Sequence, residues 1–488
     1  MNPSTAITTE TERYPMAFQE LWQLRAAFAI ELSEMYGEEV PAYNTLVDVS
    51  TEVNRDSMER VGANAERLGS IERVTAERHG AIRVGSPTEM SQVARVYAAF
   101  GMYPVGFYDL RDASASSVPV VSTAFRPIDA DELAKNPFRV FTSMLAADDP
   151  RFFSADQQQR LQAFINNRQL FPEELLTLAD KAAEQGGLED AEAARLLEMA
   201  TGSFKLSDDP VDYAWYKELE EVSAVAADIG GVTSTHINHL TPRVLDIDDL
   251  YNRMEALGIT MIDEVQGPPA WDGPDILLRQ TSFRALDEER VFKFDDGTVG
   301  PGELRVRFGE VEQRGIALTP KGRELYDQML AETDRRLQKY GGIRTDVARQ
   351  VWAEYLPDTE RGLAERDLAF FTYRVAEDAS ADTLAQLPHN VSLLSLLDDG
   401  IIVAEPIVYE DFLPRSAAGI FQSNLTGEGS RDDALQGTDY DINVMSEIVG
   451  RPVADPHDLY RKQQDASLAE VAAQLDRSIA PITANLTA

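Results

Sequence analysis

The sequence predicts an α+β protein in which two βαβββ modules form a curved sheet around one metal ion, with helical insertions and a helical cover. Three observations predict it. The stretch "HGAIRVGSPTEMSQVARVYAAFG" from His79 has a partner in "HLTPRVLDIDDLYNRMEALG" from His239, and the pairs His79/His239, Arg83/Arg243, Val84/Val244 and Ser86/Asp246 are all 160 residues apart. Each copy is followed by several short runs of β-branched and aromatic residues bounded by Gly, Pro and Asp, the pattern of strands. Elsewhere, apolar residues recur at helical spacing.

Taken in order, residues 1–70 read as a helical cover, in which Phe18, Leu21, Leu24, Phe28 and Ile30 recur at helical spacing and Pro41 closes the segment. Residues 71–148 form the first module. "ERHGAIRVG" is its opening strand, Ser86, Pro87 and Glu89 start its helix as cap, first residue and capping box, and "YPVGFYDL", "SVPVVSTAF" and "FRVFTSML" follow as strands. Residues 149–228 are an insertion of charged helices, expected to be a solvated cap.

The second module spans 229–320. Asp246 caps its helix and Gly258 ends it, and "ITMIDEV", "DILLRQTSFRAL", "RVFKF" and "GELRVRFGEVEQRG" read as strands, the last as one continuous strand, with "DDGTVGPG" as a turn. Residues 321–488 mix helices and strands and are expected to complete the pocket, with a last helix near 467–478 and His389 and His457 in turns.

Composition narrows the chemistry. A hydrophobic fraction of 43% is that of a globular chain, and a net charge of −38 argues against nucleic acid or an anionic membrane as partner. An anionic substrate would need local arginines. Cysteine is absent, which excludes disulfides, thiolate metal sites and cysteine nucleophiles, so any metal must use carboxylates and the five histidines. The expected location is cytoplasmic, because the N-terminus has neither a basic nor an apolar leader region and no apolar run is long enough to span a membrane.

On a strand, residues two apart share a face, so His79 and Arg83 point the same way, as do His239 and Arg243. A lone strand histidine is more often a satisfied core residue; a histidine repeated with its arginine in register points to a site. If the modules pair about a pseudo-twofold axis, the histidines converge. His236 lies three residues before His239, on the opposite face of a regular strand, and is expected to be structural or to support a ligand. Glu310 and Glu312 share a strand face and either can complete a two-His, one-carboxylate set, which leaves coordination positions open on Fe(II). Arg243 is expected to support the site, by pairing with Glu312, or to bind substrate.

The paired modules, with a histidine on the first strand of each and a glutamate on the last, resemble the vicinal oxygen chelate superfamily, and "FGEVEQR" is similar to the glutamate strand of 4-hydroxyphenylpyruvate dioxygenases. "HGAIRVGSPTEMSQVARVYAAFGMYPVGFYDL", "HINHLTPRVLDID", "GEVEQRGIALTPKGRELYD" and "SAAGIFQSNL" more closely resemble the 2-oxoadipate dioxygenase/decarboxylase (hydroxyglutarate synthase) family, over most of the chain. That resemblance implies Fe(II) held by His79, His239 and Glu310, with Arg83 clamping a substrate carboxylate and Ser416 on the pocket wall. It implies a 2-oxo dicarboxylic acid and O2 as substrates, and 2-hydroxyglutarate and CO2 as products, in lysine catabolism. Arg415 stands where the family would place a small apolar residue. Two rival readings are a glyoxalase-like metal-dependent isomerase or lyase on the same scaffold and a non-catalytic binding protein.

Overall fold

The computed structural model describes residues 18–62, 67–76, 78–112, 118–285, 288–304, 307–380, 384, 386–414, 424, 431–432 and 434–480. The fold is mixed α/β, with several sheets, of which the largest among the described residues has five strands. Among the described residues no helix is long and apolar enough to cross a membrane.

The first module follows the expected order. Strand Arg78–Val84, helix Pro87–Ala98 and strands Tyr103–Asp109, Val120–Arg126 and Arg139–Leu145 succeed one another, with Ser86 capping the helix through the Glu89 amide. The His79 strand lies parallel to Arg139–Leu145, with His79 opposite Arg139. On its other side it pairs antiparallel with His239–Pro242, placing Gly80 opposite Leu240 and His79 opposite Thr241. Gly80 and Leu240 are themselves one repeat apart, so an approximate twofold relating the two copies passes through that pair. Antiparallel partners share a face, which brings both histidines to the same side.

The second module departs from one continuous curved sheet. After helix Ile247–Ala256, "ITMIDEV" forms no strand among the described residues: Met261 makes an isolated bridge to Phe283, and Gln266, just beyond the stretch, makes one to Gln280. "GELRVRFGEVEQRG" is broken: Val299–Leu304 pairs with Glu288–Lys293 in a three-stranded sheet, whereas Glu310–Arg314 pairs with Leu278–Ser282 in a separate two-stranded one. "DDGTVGPG" turns only at its start, since Val299 already opens a strand.

The Glu310 strand rejoins the His239 strand in parallel. Arg243 bridges Glu312, the Val244 amide donates to the Glu312 carbonyl at 2.8 Å, and the Phe308 amide reaches the Asn238 carbonyl at 3.4 Å. Gly309 is needed beside Glu310 because a Cβ there would lie 1.9 Å from the buried ring of Phe283. Gly309→Ala should therefore cost about 1–3 kcal/mol, as overpacked cores do, measured as a lowered urea midpoint at unchanged slope; an unchanged midpoint would show that the ring yields freely.

Helices Leu21–Glu39 and Ala42–Val61 cover one side, where Phe28 stacks on Phe100 with centroids 4.3 Å apart. The insertion contains the expected charged helices, but it is not solvated throughout. In its last helix, Ala224–Gly230, every residue from Val225 on is buried, and Asp228 reaches the interior. Near the C-terminus, helix Pro456–Leu475 starts earlier than expected, so His457 sits in its first turn behind the Asp455 cap instead of in a turn.

Candidate metal centre

The His79 and His239 rings stand 5.5 Å apart, nearly perpendicular, on the shared face of the two paired strands. Glu310 lies between them, its Oε1 3.5 Å from His79 Nε2 and its Oε2 3.4 Å from His239 Nδ1. One ligand atom from each of the three lies within 4.8 Å of the others, and all three residues are buried. Gln280 Nε2 donates to Glu310 Oε1 and fixes its carboxylate.

The donor chemistry fits a divalent transition metal. Burial, together with the nearby charges of His79 and Arg83, moves the His239 pKa down to about 4, so its imidazole is neutral, as a ligand must be. Its Nδ1 is buried without a hydrogen-bond partner among the described residues. Burial alone would also lower His79, yet the Glu312 and Glu310 carboxylates carry it up to about 9. A site that stabilises positive charge this deep in the protein suits a cation.

Glu312 lies on the far side of His79, 3.1 Å from Nδ1. Arg314 holds both its oxygens, at 2.7 and 2.8 Å, and also donates to the carbonyls of Tyr409 at 2.7 Å and Asp411 at 3.1 Å. Burial opposes ionisation of Glu312, but Arg314 and His79 hold its carboxyl well below the usual range. An anionic Glu312 accepts a proton-bearing Nδ1 and so presents the other ring nitrogen to Glu310.

Arg83 is buried on the same strand and donates through Nη1 to Asp228. His236 Nε2 is 3.1 Å from the other oxygen of Asp228, and Asn238 donates to Asp228 at 3.0 Å. His236 thus belongs to the support of Arg83 and lies apart from the triad. The Arg243 guanidinium donates to the Leu68 carbonyl at 2.6 Å, and its bridge to Glu312 is through backbone. Ser416 and Arg415 lie outside the described residues.

A sequence model of the 2-oxoadipate dioxygenase/decarboxylase family matches residues 28–424. The chain belongs to this family. A Mycobacterium tuberculosis protein named 2-oxoadipate dioxygenase/decarboxylase is 54% identical over 438 residues, covering 90% of this chain and 95% of that protein. One of the same name from Pseudomonas putida is 40% identical over 467 residues, covering 93% and 97%. The crystal structure of the Pseudomonas putida hydroxyglutarate synthase in complex with 2-oxoadipate is similar at a TM-score of 0.80 and 38% identity, covering 94% of this chain and 99% of that one.

For this member of the 2-oxoadipate dioxygenase/decarboxylase family, sequence reasoning missed Gln280, Asp228 and Arg314. Arg314 had a signal, since it continues the Glu310, Glu312 alternation on one strand face. The other two come from elements with no repeat to single them out.

Proposed function

We propose that the protein is a non-haem Fe(II) dioxygenase that converts 2-oxoadipate and O2 into 2-hydroxyglutarate and CO2, as a step of lysine catabolism. The observation that carries this reading is the buried His79, His239 and Glu310 group in a chain so similar to proteins named for that reaction. These three residues would hold the metal at the junction of two pseudo-symmetric modules, 71–148 and 229–320, with 1–70, 149–228 and 321–488 as helical cover, insertion and pocket-completing region. Bound Fe(II) supplies open coordination positions for a chelating 2-oxo acid and the redox capacity that reduction of O2 requires.

The chain's own residues do the rest. Glu312 keeps the His79 ring in one orientation, and Gln280 does the same for the Glu310 carboxylate. Arg83 holds the distal substrate carboxylate, its guanidinium aimed by Asp228, and so fixes which carbon of the acid faces the metal. Ser416 is proposed as a substrate-binding residue. Such a clamp is a local cationic spot in a protein of net charge −38.

Iron-loaded protein should consume O2 with 2-oxoadipate and release one CO2 per 2-hydroxyglutarate. Turnover of a 2-oxo acid without oxygen would replace this reading with an isomerase or lyase. Arg83→Lys keeps the charge and loses the planar fork, so kcat/KM for 2-oxoadipate should fall roughly 10- to 100-fold, the worth of about 1.5–3 kcal/mol for a hydrogen bond to a charged group. An unchanged kcat/KM would remove Arg83 from the substrate.

A further inference from the structure

Each triad histidine packs against a phenylalanine ring, and the two rings come from unrelated places. Phe308, buried two residues before the Glu310 strand, lies 5.2 Å from the His239 ring. Phe412, in the C-terminal region, lies 5.0 Å from the His79 ring at 84°, edge to face. The backbone positions differ. The Phe308 amide reaches the Asn238 carbonyl beside His239, whereas the place opposite His79 on its parallel neighbour is held by Arg139. The first module therefore has a cation where the second has its aromatic cap.

Arg139 does not leave the gap open. It donates to the Glu410 carbonyl at 2.8 Å and to the Glu410 carboxylate at 2.7 Å. Arg73 binds the same carboxylate, and Arg126 holds Asp411 through two bonds of 2.9 and 3.2 Å. With Arg314 on two carbonyls of the same segment, guanidinium groups from both modules converge on residues 409–411. Phe412 follows directly, packed on Phe141 at 5.0 Å.

Phe412 also lines a cavity of about 450 Å³ whose walls include Tyr108, Tyr409, Tyr440 and Tyr460. Its rim carries His457 and Arg323, whose side chains are 34% and 31% exposed, so solvent reaches it. One phenyl ring thus touches both a solvent-accessible cavity and a buried imidazole.

We propose that Phe412 is a positioning residue for the metal centre: delivered by the arginine clasp on Glu410 and Asp411, it holds the His79 ring upright and bars water of this cavity from the metal. This rests on the metal assignment above. The bland alternative is that Phe412 only fills core volume, and the test separates the two. Cobalt(II) replaces iron in the full chain, and its visible absorption reports coordination number, weakening as added water drives it towards octahedral geometry. In Phe412→Ala the absorption should weaken, cobalt affinity should fall on the order of tenfold, and less 2-hydroxyglutarate should form per O2 consumed by the iron-loaded protein. An alanine variant that folds and keeps the wild-type spectrum or the wild-type product-to-oxygen ratio would overturn the proposal. Should alanine not fold, Phe412→Leu, which keeps apolar volume but lacks the ring edge, decides by the same two readouts. Wild-type protein that takes up no cobalt would instead overturn the metal assignment beneath it.

Discussion

Replacing His239 by alanine is expected to abolish metal retention and oxygen uptake together, while leaving the metal-free protein folded. The two halves of this expectation have different causes. Loss of a residue that merely supports a ligand costs roughly 10- to 100-fold in affinity or activity, and removal of a ligand itself should exceed that range. Stability is another matter, because His239 Nδ1 has no hydrogen-bond partner among the described residues and its imidazole is neutral. The apo protein therefore loses packing against Phe308 but no ion pair. Metal analysis after anaerobic iron loading, an oxygen electrode with 2-oxoadipate and a thermal melt of the apo protein check the three parts. A variant that still holds stoichiometric iron and turns over would sink the triad.

The repeat made this site legible, and its limits follow from what a repeat can encode. His79 and His239 stood out because each carries an arginine four residues later and a helix cap seven residues later, and the same register that relates them in sequence places Gly80 opposite Leu240 in the sheet. Glu310 and Glu312 could be put on one face from strand periodicity, but periodicity cannot say which of two like residues faces the histidines. The family resemblance implied Glu310, and in the structure Arg314 holds Glu312 on the far side of His79. Reading "GELRVRFGEVEQRG" as one strand failed because alternation continues through a change of sheet: Val299–Leu304 and Glu310–Arg314 pair with different partners, and partner choice is a tertiary property. Phe412 and Glu410 were invisible for the same reason, since nothing local links them to His79. Asp228 was hidden by composition: its insertion is rich in charge, and one more carboxylate there reads as solvated although its helix is buried from Val225 on.

Glu312→Ala should carry the largest stability cost of the changes considered, and its interest lies in separating fold from site. Arg314 is fully buried, and alanine at 312 would leave its guanidinium without the carboxylate that balances it. Breaking a buried pair from one side typically costs about 3–5 kcal/mol. Metal affinity should fall as well, by roughly 10- to 100-fold, because the His79 ring loses the acceptor at Nδ1. The double variant Glu312→Ala/Arg314→Met removes the stranded charge, so most of the stability should return. Recovery stays incomplete because Arg314 also holds the Tyr409 and Asp411 carbonyls, each bond contributing on the order of 1 kcal/mol. Metal affinity should not return, since no acceptor for His79 has been restored. If affinity rises in step with the urea midpoint, Glu312 acts only on the fold. If the two separate, the carboxylate is orienting His79, and Arg314 joins that orientation to the segment that brings Phe412 over the same ring.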